Sequence, residues 1–345
     1  MTTTSSLPTP RSTIRVRPWL RRSLLGLSAA TVALTATGLA YQSLGVALDQ
    51  QRYSAPGEQI SIGDHRLHIH EMGQHHDGPT VVLVSGLGVP SSGWAWIQSN
   101  VADFARVVSY DRAGLGWSEE STQPFDAVHT AQQLHDLLEA ADIPGPYILV
   151  GHSIGGLYVR QFTDLYPDDV AGLVLVDASH PEQLDRLPKA ASDMQLKAFK
   201  LYQASPWLAR FGILRATNLH GRMMQSQNLP PEAQGSLEAF YNNPDHLKTM
   251  AQETRQWDII SDQVNQTKDL GNRPLTVLSA NPEVESDQAP MLRAWLDLQG
   301  ELADLSSEGQ QQLVDGADHN SLLMNSDHAR VVADAIHEVV MQGQD

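Results

Sequence analysis

Gly151-His152-Ser153-Ile154-Gly155 fits the pattern Gly-x-Ser-x-Gly. A strand-like run, Tyr147–Val150, precedes it, and an amphipathic segment, 157–166, follows. The serine therefore falls on a strand-to-helix turn, the setting in which such a motif holds a hydroxyl forward as a nucleophile. The flanking glycines let neighbouring backbone come close without a Cβ clash. A hydroxyl is a weak nucleophile until a base takes its proton. The base is expected on a loop late in the chain, and His319 sits there, in Gly316-Ala317-Asp318-His319-Asn320. His328 falls inside the start of the last helix. His152 adjoins the serine, where the turn aims neighbouring side chains apart. Both are set aside as bases.

An acid must fix the imidazole tautomer and stabilise its cation. Asp177 ends the apolar run Leu173–Val176, and Glu283 follows the run Leu275–Leu278. Asp177 is preferred because it abuts a buried strand and would need a partner there; its other reading is a helix cap or loop anchor. The oxyanion of an acyl-transfer intermediate needs two backbone N–H donors. Ile154, directly after the serine, is one. Leu87, in Ser85-Gly86-Leu87-Gly88, is the other, on the loop after the first buried strand. Trp94 and Trp96 read first as core, and Asp111 and Arg112 as residues that tie loops together. His65, His68, His70, His75 and His76 cluster in sequence, but one strand face and a turn divide them and no cysteine completes a site, so no metal is assigned. No cofactor is expected.

The elements that must position these groups alternate. Gln59–Ile62 and Arg66–Glu71 read as a hairpin around Gly63-Asp64. Thr80–Ser85, Arg106–Tyr110, Tyr147–Val150, Leu173–Val176 and Leu275–Leu278 are unbroken apolar runs, as in a parallel sheet covered on both faces. A helical pattern over 126–142 stops at Pro144 and Gly145. Such alternation predicts a doubly wound α/β fold. Residues 180–273 carry no strand signal and read as helices broken at Pro188, Pro206, Pro230-Pro231 and Pro244. A helix near 291–305, a strand at 311–314 and a helix near 327–341 complete the chain. The expected organisation is a basic N-terminus with an apolar segment (1–50), the first part of the core (51–179), a helical cap (180–273) and the second part of the core (274–345).

The 345 residues contain no cysteine, which excludes disulfides and thiol catalysis. Arg11, Arg15, Arg17, Arg21 and Arg22 occupy the first 22 residues, and the rest of the chain is strongly acidic, which disfavours nucleic acid as a partner. Residues 24–48 are uncharged and long enough to span a bilayer as a helix. An uncleaved signal anchor is the first reading; a cleaved signal peptide, with Gly38-Leu39-Ala40 as the site, and a soluble packing helix are the others. Arg21-Arg22 also permits a twin-arginine export reading. In the first two cases the body of the protein lies outside the cytoplasm.

From about Tyr53 onward the chain resembles bacterial α/β-hydrolase-fold serine hydrolases with a helical cap. The stretches that carry the resemblance are 81–88, 110–118, 151–162, 173–183 and 316–323. The resemblance implies an eight-stranded, mostly parallel sheet flanked by helices, acyl transfer from an ester- or amide-type small molecule to water, and no cofactor. Relatives that act on halides or epoxides place Asp at the nucleophile position, where this chain has Ser153. The chain departs from the pattern in having Ser-Gly-Leu-Gly where many relatives have His-Gly, and in lacking a clear Asp after Leu275–Ala280. The expected activity is ester hydrolysis on a substrate with a hydrophobic part, because Met194, Met250, Phe199, Trp257 and other apolar residues of the cap would roof the pocket or else form the cap's own core. Same-triad amide or peptide cleavage, cofactor-free perhydrolysis and a non-catalytic binding role are the alternatives.

Overall fold

The apolar runs become strands whose side chains are covered on both sides, and only helices on each face of a sheet provide that cover. In the computed structural model, which describes residues 18–266 and 269–344, they form one eight-stranded sheet in the order β1-β2-β4-β3-β5-β6-β7-β8. The strands are β1 (Glu58–Ser61), β2 (Arg66–Met72), β3 (Thr80–Val84), β4 (Val107–Tyr110), β5 (Tyr147–His152), β6 (Val170–Val176), β7 (Leu275–Asn281) and β8 (Gly309–Asp315). β1 and β2 are antiparallel additions, and β4 through β8 run parallel. Arg11, Arg15 and Arg17 lie outside the described residues.

Chain order places α1 (Pro18–Arg52) before the sheet, followed by α2 (Ala95–Val101), α3 (Ala127–Ala140) and α4 (Gly155–Leu165) between strands. Asp126 caps α3 through a hydrogen bond from the His129 amide, 3.0 Å. Between β6 and β7 the chain makes α5 (Gln183–Arg186), α6 (Lys189–Arg210), α7 (Ile213–Thr217), α8 (Leu219–Met223), α9 (Pro231–Tyr241), α10 (Pro244–Arg255) and α11 (Trp257–Val264). This is the helical insertion that the vanishing strand signal called for. α12 (Ala289–Ala303), α13 (Ser321–Met324) and α14 (Ser326–Gln342) finish the fold. Two buried apolar clusters lie on opposite sides of the sheet, one including residues of α3, α4 and α11 and the other residues of α2, α13 and α14.

One expected break is absent. Pro206 lies inside α6 rather than ending it. Proline removes the N–H that would bond the Tyr202 carbonyl. The Ser205 hydroxyl donates to that carbonyl instead, at 2.7 Å, so the helix continues. The N-terminal helix also differs from an independent leader. Its residues 21–37 are exposed, but Gln42 is buried and donates to the Asn242 carbonyl, while Arg215 pairs with Asp49 at 2.7 Å. The last third of α1 is thus seated on the cap.

Candidate active site

Parallel pairing in register brings the C-terminal ends of β3, β5, β6 and β7 to one edge: Val84 faces Gly151, His152 faces Val176, and Val176 faces Leu278. The chain must turn sharply after β5 to enter α4. Ser153 makes that turn with φ 55°, in the left-handed region that costs a side chain with a Cβ roughly 1 kcal/mol or more. The turn is held from both sides. The Ser153 amide donates to the Val176 carbonyl (3.2 Å), and the Ser153 carbonyl accepts from the Gly156 (3.0 Å) and Ser179 (2.9 Å) amides. Gly86 passes beside it, where a Cβ would lie 2.8 Å from His152 Nδ1 and 3.2 Å from Ser153 Cβ.

Asp177 follows β6 with φ 43° and is buried. Its Oδ1 accepts from the Ala280 amide (3.1 Å) and from Trp295 Nε1 (2.8 Å), and its Oδ2 lies 2.6 Å from His319 Nδ1. Burial opposes the charged carboxylate, but the hydrogen bonds from His319, Trp295 and Ala280 prevail and hold its pKa below the usual carboxylate value. A charged carboxylate only accepts, so Nδ1 carries a proton, and in the neutral ring Nε2 of His319 is the nitrogen with the lone pair. The His319 loop is set by Asp318, whose Oδ1 accepts from the Asn320 and Ser321 amides, each at 3.0 Å. His152 donates from Nε2 to the His319 carbonyl, 3.1 Å. His328 lies in α14, as expected, and bonds the Ser321 hydroxyl. Glu283 is exposed, and it is Asp177 that bonds the His319 ring nitrogen.

Ser153, Ile154, Leu87, Asp177 and His319 line one cavity of ≈ 460 Å³. The Leu87 and Ile154 amides donate to no other group among the described residues. The remaining walls are mostly apolar and come from the cap, from the loop after β7 and from α12, including Met194, Phe199, Trp257, Val284, Met291 and Trp295. Other aromatic residues of the cap do not reach it: Tyr241 is core, and Trp207 is exposed. Trp94 is buried and donates to Ser85 Oγ, whereas the rings of the histidine-rich stretch have separate partners, His65 at Asp64 and His68 at Asp111.

Residues 81–335 match the alpha/beta hydrolase family. The chain belongs to that family. An uncharacterised protein of Schizosaccharomyces pombe is 26% identical over 324 residues, which cover 84% of this chain; the chain spans only 57% of that protein's length. The uncharacterised protein YqjL of Bacillus subtilis is 25% identical over 262 residues, 76% of this chain and 83% of YqjL. Among solved structures, a Cif epoxide hydrolase from Acinetobacter nosocomialis superposes with a TM-score of 0.67 at 16% identity, covering 88% of this chain and 96% of that one. A putative lipase from Acinetobacter baumannii gives 0.61 at 17% identity, over 86% and 95%. At such identities the likeness is one of fold.

This alpha/beta hydrolase carries a device that the motifs do not announce. α10 grips the Ser85–Gly88 loop from the cap side. Glu253 Oε2 accepts from the Gly88 amide (3.0 Å), and His246 Nε2 donates to the Gly88 carbonyl (2.8 Å) while its Nδ1 accepts from the Gly116 amide (3.0 Å). Glu253 Oε1 also takes Arg112 Nη2 (2.7 Å) and Nε (3.0 Å), and Arg112 in turn donates to the Ser85 and Gly86 carbonyls (2.7 and 2.9 Å). Arg112 does tie loops together, as expected, and its partner is on the cap. Glu253 was visible only indirectly: His246, Met250, Glu253 and Trp257 fall at steps of four, three and four, so a carboxylate occupies a buried helical seam and requires a cation.

Two buried histidines next to this machinery set an acid limit. Burial lowers the pKa of His152 to about 3 and that of His246 to about 4. Unfolded, each would take its proton near pH ~6.5. Between those values the unfolded chain binds more protons than the folded one, so their contribution to stability is complete above about pH 6.5 and is lost as pH falls toward 3–4. Burial likewise lowers His180 to about 4, so stability from denaturant unfolding will hold from pH 8 to about 6.5 and then fall, with a histidine slope of about three protons near pH 5, of which His246→Asn will remove about one. A flat profile down to about pH 4.5 would contradict the neutral, buried state of these rings.

Proposed function

We propose that this alpha/beta hydrolase cleaves carboxylic esters by two-step acyl transfer, with Ser153 as nucleophile, His319 as base and Asp177 as the acid that orients it. The observation that carries the reading is the meeting, in one largely apolar cavity, of a serine in a strained turn, an imidazole paired with a buried carboxylate, and two uncommitted amides. His319 Nε2 takes the Ser153 proton as Oγ attacks the carbonyl. The Leu87 and Ile154 amides receive the oxyanion. His319 then gives its proton to the leaving alkoxide and activates water for deacylation. Asp177 remains charged throughout and offsets the imidazolium.

The apolar walls support an ester with a hydrophobic acyl or alcohol part. A fluorophosphonate probe will label the wild-type chain and not Ser153→Ala, and p-nitrophenyl hexanoate or octanoate will show a higher kcat/KM than the acetate. Labelling that persists without Ser153 would sink the mechanism. A preference for acetate would sink the substrate class and leave the nucleophile standing.

The membrane reading of α1 is also part of this proposal. Residues 21–37 are all exposed, whereas Gln42 and Asp49 are tied to the cap, which supports a helix kept as an anchor rather than removed at Gly38-Leu39-Ala40. Arg21 and Arg22 on its N-terminal flank favour a cytoplasmic N-terminus and an external hydrolase domain.

A further inference from the structure

The stretch of α1 in which every residue is exposed is too short to span a bilayer. Counting from the last arginine of its basic flank, Ser23–Thr37 is the stretch exposed on all sides. Fifteen residues of helix rise about 22 Å, against a hydrocarbon core of about 30 Å. The next five residues are needed, and three of them are already against the cap. Gly38 abuts the Phe211 carbonyl so closely that a Cβ there would come to 2.5 Å, Tyr41 lies against Gly212, and Gln42 is bonded to Asn242. A bilayer that covers α1 down to Gln42 therefore reaches the corner between α6 and α7.

That corner is built for an interface. Trp207, Phe211 and Ile213 are 66%, 40% and 47% exposed. Arg210 stands beside them, its guanidinium 5.8 Å from the Trp207 ring centre. The charge of this part of the cap is also opposite to that of the rest. Residues 187–229 hold six basic side chains and one acidic one, while the remainder of 51–345 holds 12 basic and 38 acidic. Lys197, Lys200 and Arg210 are exposed on α6. Aromatic and basic side chains around an apolar corner are what the headgroup region selects, and each basic group near an anionic surface is worth about 1 kcal/mol.

We propose that the α6–α7 face of the cap seats on the anionic surface of the bilayer that α1 enters. The proposal rests on the reading of α1 as a retained anchor. Met194, on the same helix, lines the cavity and is 60% exposed, so the helix that seats on the lipid also forms part of the cavity wall.

The cysteine-free chain permits a direct test. Full-length Leu27→Cys, Trp207→Cys, Ile213→Cys and Glu308→Cys proteins, each labelled with bimane, are placed in vesicles of brominated phosphatidylcholine and phosphatidylglycerol. Glu308 is exposed at the start of β8, at the opposite end of the sheet from the cap. Quenching at 27, 207 and 213 but not at 308 is expected. Quenching at 27 alone overturns the proposal and leaves the anchor intact; no quenching at 27 overturns both. In the unlabelled chain, Lys200→Glu with Arg210→Glu will lower turnover of a long-chain ester dispersed in the same vesicles about fivefold or more and leave soluble p-nitrophenyl butyrate unchanged. Equal turnover of the vesicle substrate by both proteins overturns the charge contact. Absence of turnover on either ester would instead sink the esterase reading, and the quenching result would still decide the seat.

Discussion

Ser153→Ala will lower kcat on the preferred p-nitrophenyl ester by about 10⁵–10⁶-fold, and Asp177→Asn by about 10⁴-fold, with little change in KM. The two losses have different origins. Without Oγ no acyl-enzyme forms, and only the oxyanion donors and substrate binding remain. Asparagine keeps the shape of Asp177 but turns an amide N–H or a neutral oxygen toward His319 Nδ1, so the proton that must sit on Nδ1 is no longer held there by a charge at 2.6 Å. The Nε2 lone pair needed to take the Ser153 proton is then lost in part of the molecules, and the imidazolium has no counter-charge beside it. Glu283→Gln is the comparison that makes the assignment specific. Glu283 is exposed on the loop after β7, and its replacement will leave kcat within about twofold, as for ordinary surface changes. Loss of activity in Glu283→Gln with retention in Asp177→Asn would reverse the assignment of the acid.

Local signals in the sequence were enough to place the strand-to-helix turn at Ser153, the late loop of His319 and the glycine loop of Leu87, because each is encoded within a few residues of a buried run. The choice between Asp177 and Glu283 was open because it depends on which strand end reaches the imidazole. In the structure it is Asp177 that lies against the imidazole, placed there by the pairing of β6 with β7 and by donors from Ala280 and Trp295, more than 100 residues away in the chain. Pro206 misled for a similar reason. A proline ends a helix when the carbonyl it strands has no other donor, and here the adjacent Ser205 supplies one. The seating of α1 on the cap was invisible as well. Gly38, Gln42, Gly45 and Asp49 share one helix face, but within a run rich in small and apolar residues nothing marks that face until Arg215 and Phe211 are brought against it.

Glu253→Gln will destabilise the fold by about 3–5 kcal/mol, the cost of leaving a buried charge without its partner. Arg112 would then be a cation at 3% exposure with only neutral acceptors left, the carbonyls of Ser85 and Gly86 among them. The same change will lower kcat by about 10²-fold, the scale of a misplaced oxyanion donor, because the Gly88 amide loses the carboxylate that fixes the loop one residue beyond Leu87. Stability and catalysis can be separated in the double variant Arg112→Met with Glu253→Leu. Removing both charges together leaves no uncompensated ion, and well-packed apolar replacements of a buried pair are often neutral. Urea unfolding will therefore recover part of the lost stability, the Gly88 amide, the Tyr158 hydroxyl and the Ser85 and Gly86 carbonyls having lost their partners, while kcat stays low and KM for a soluble ester changes little, since neither residue lines the cavity. Recovery of kcat along with stability would mean that the pair only holds the cap in place. Persistent loss of kcat in a stable protein would mean that the cap, through α10, sets the position of the Leu87 amide.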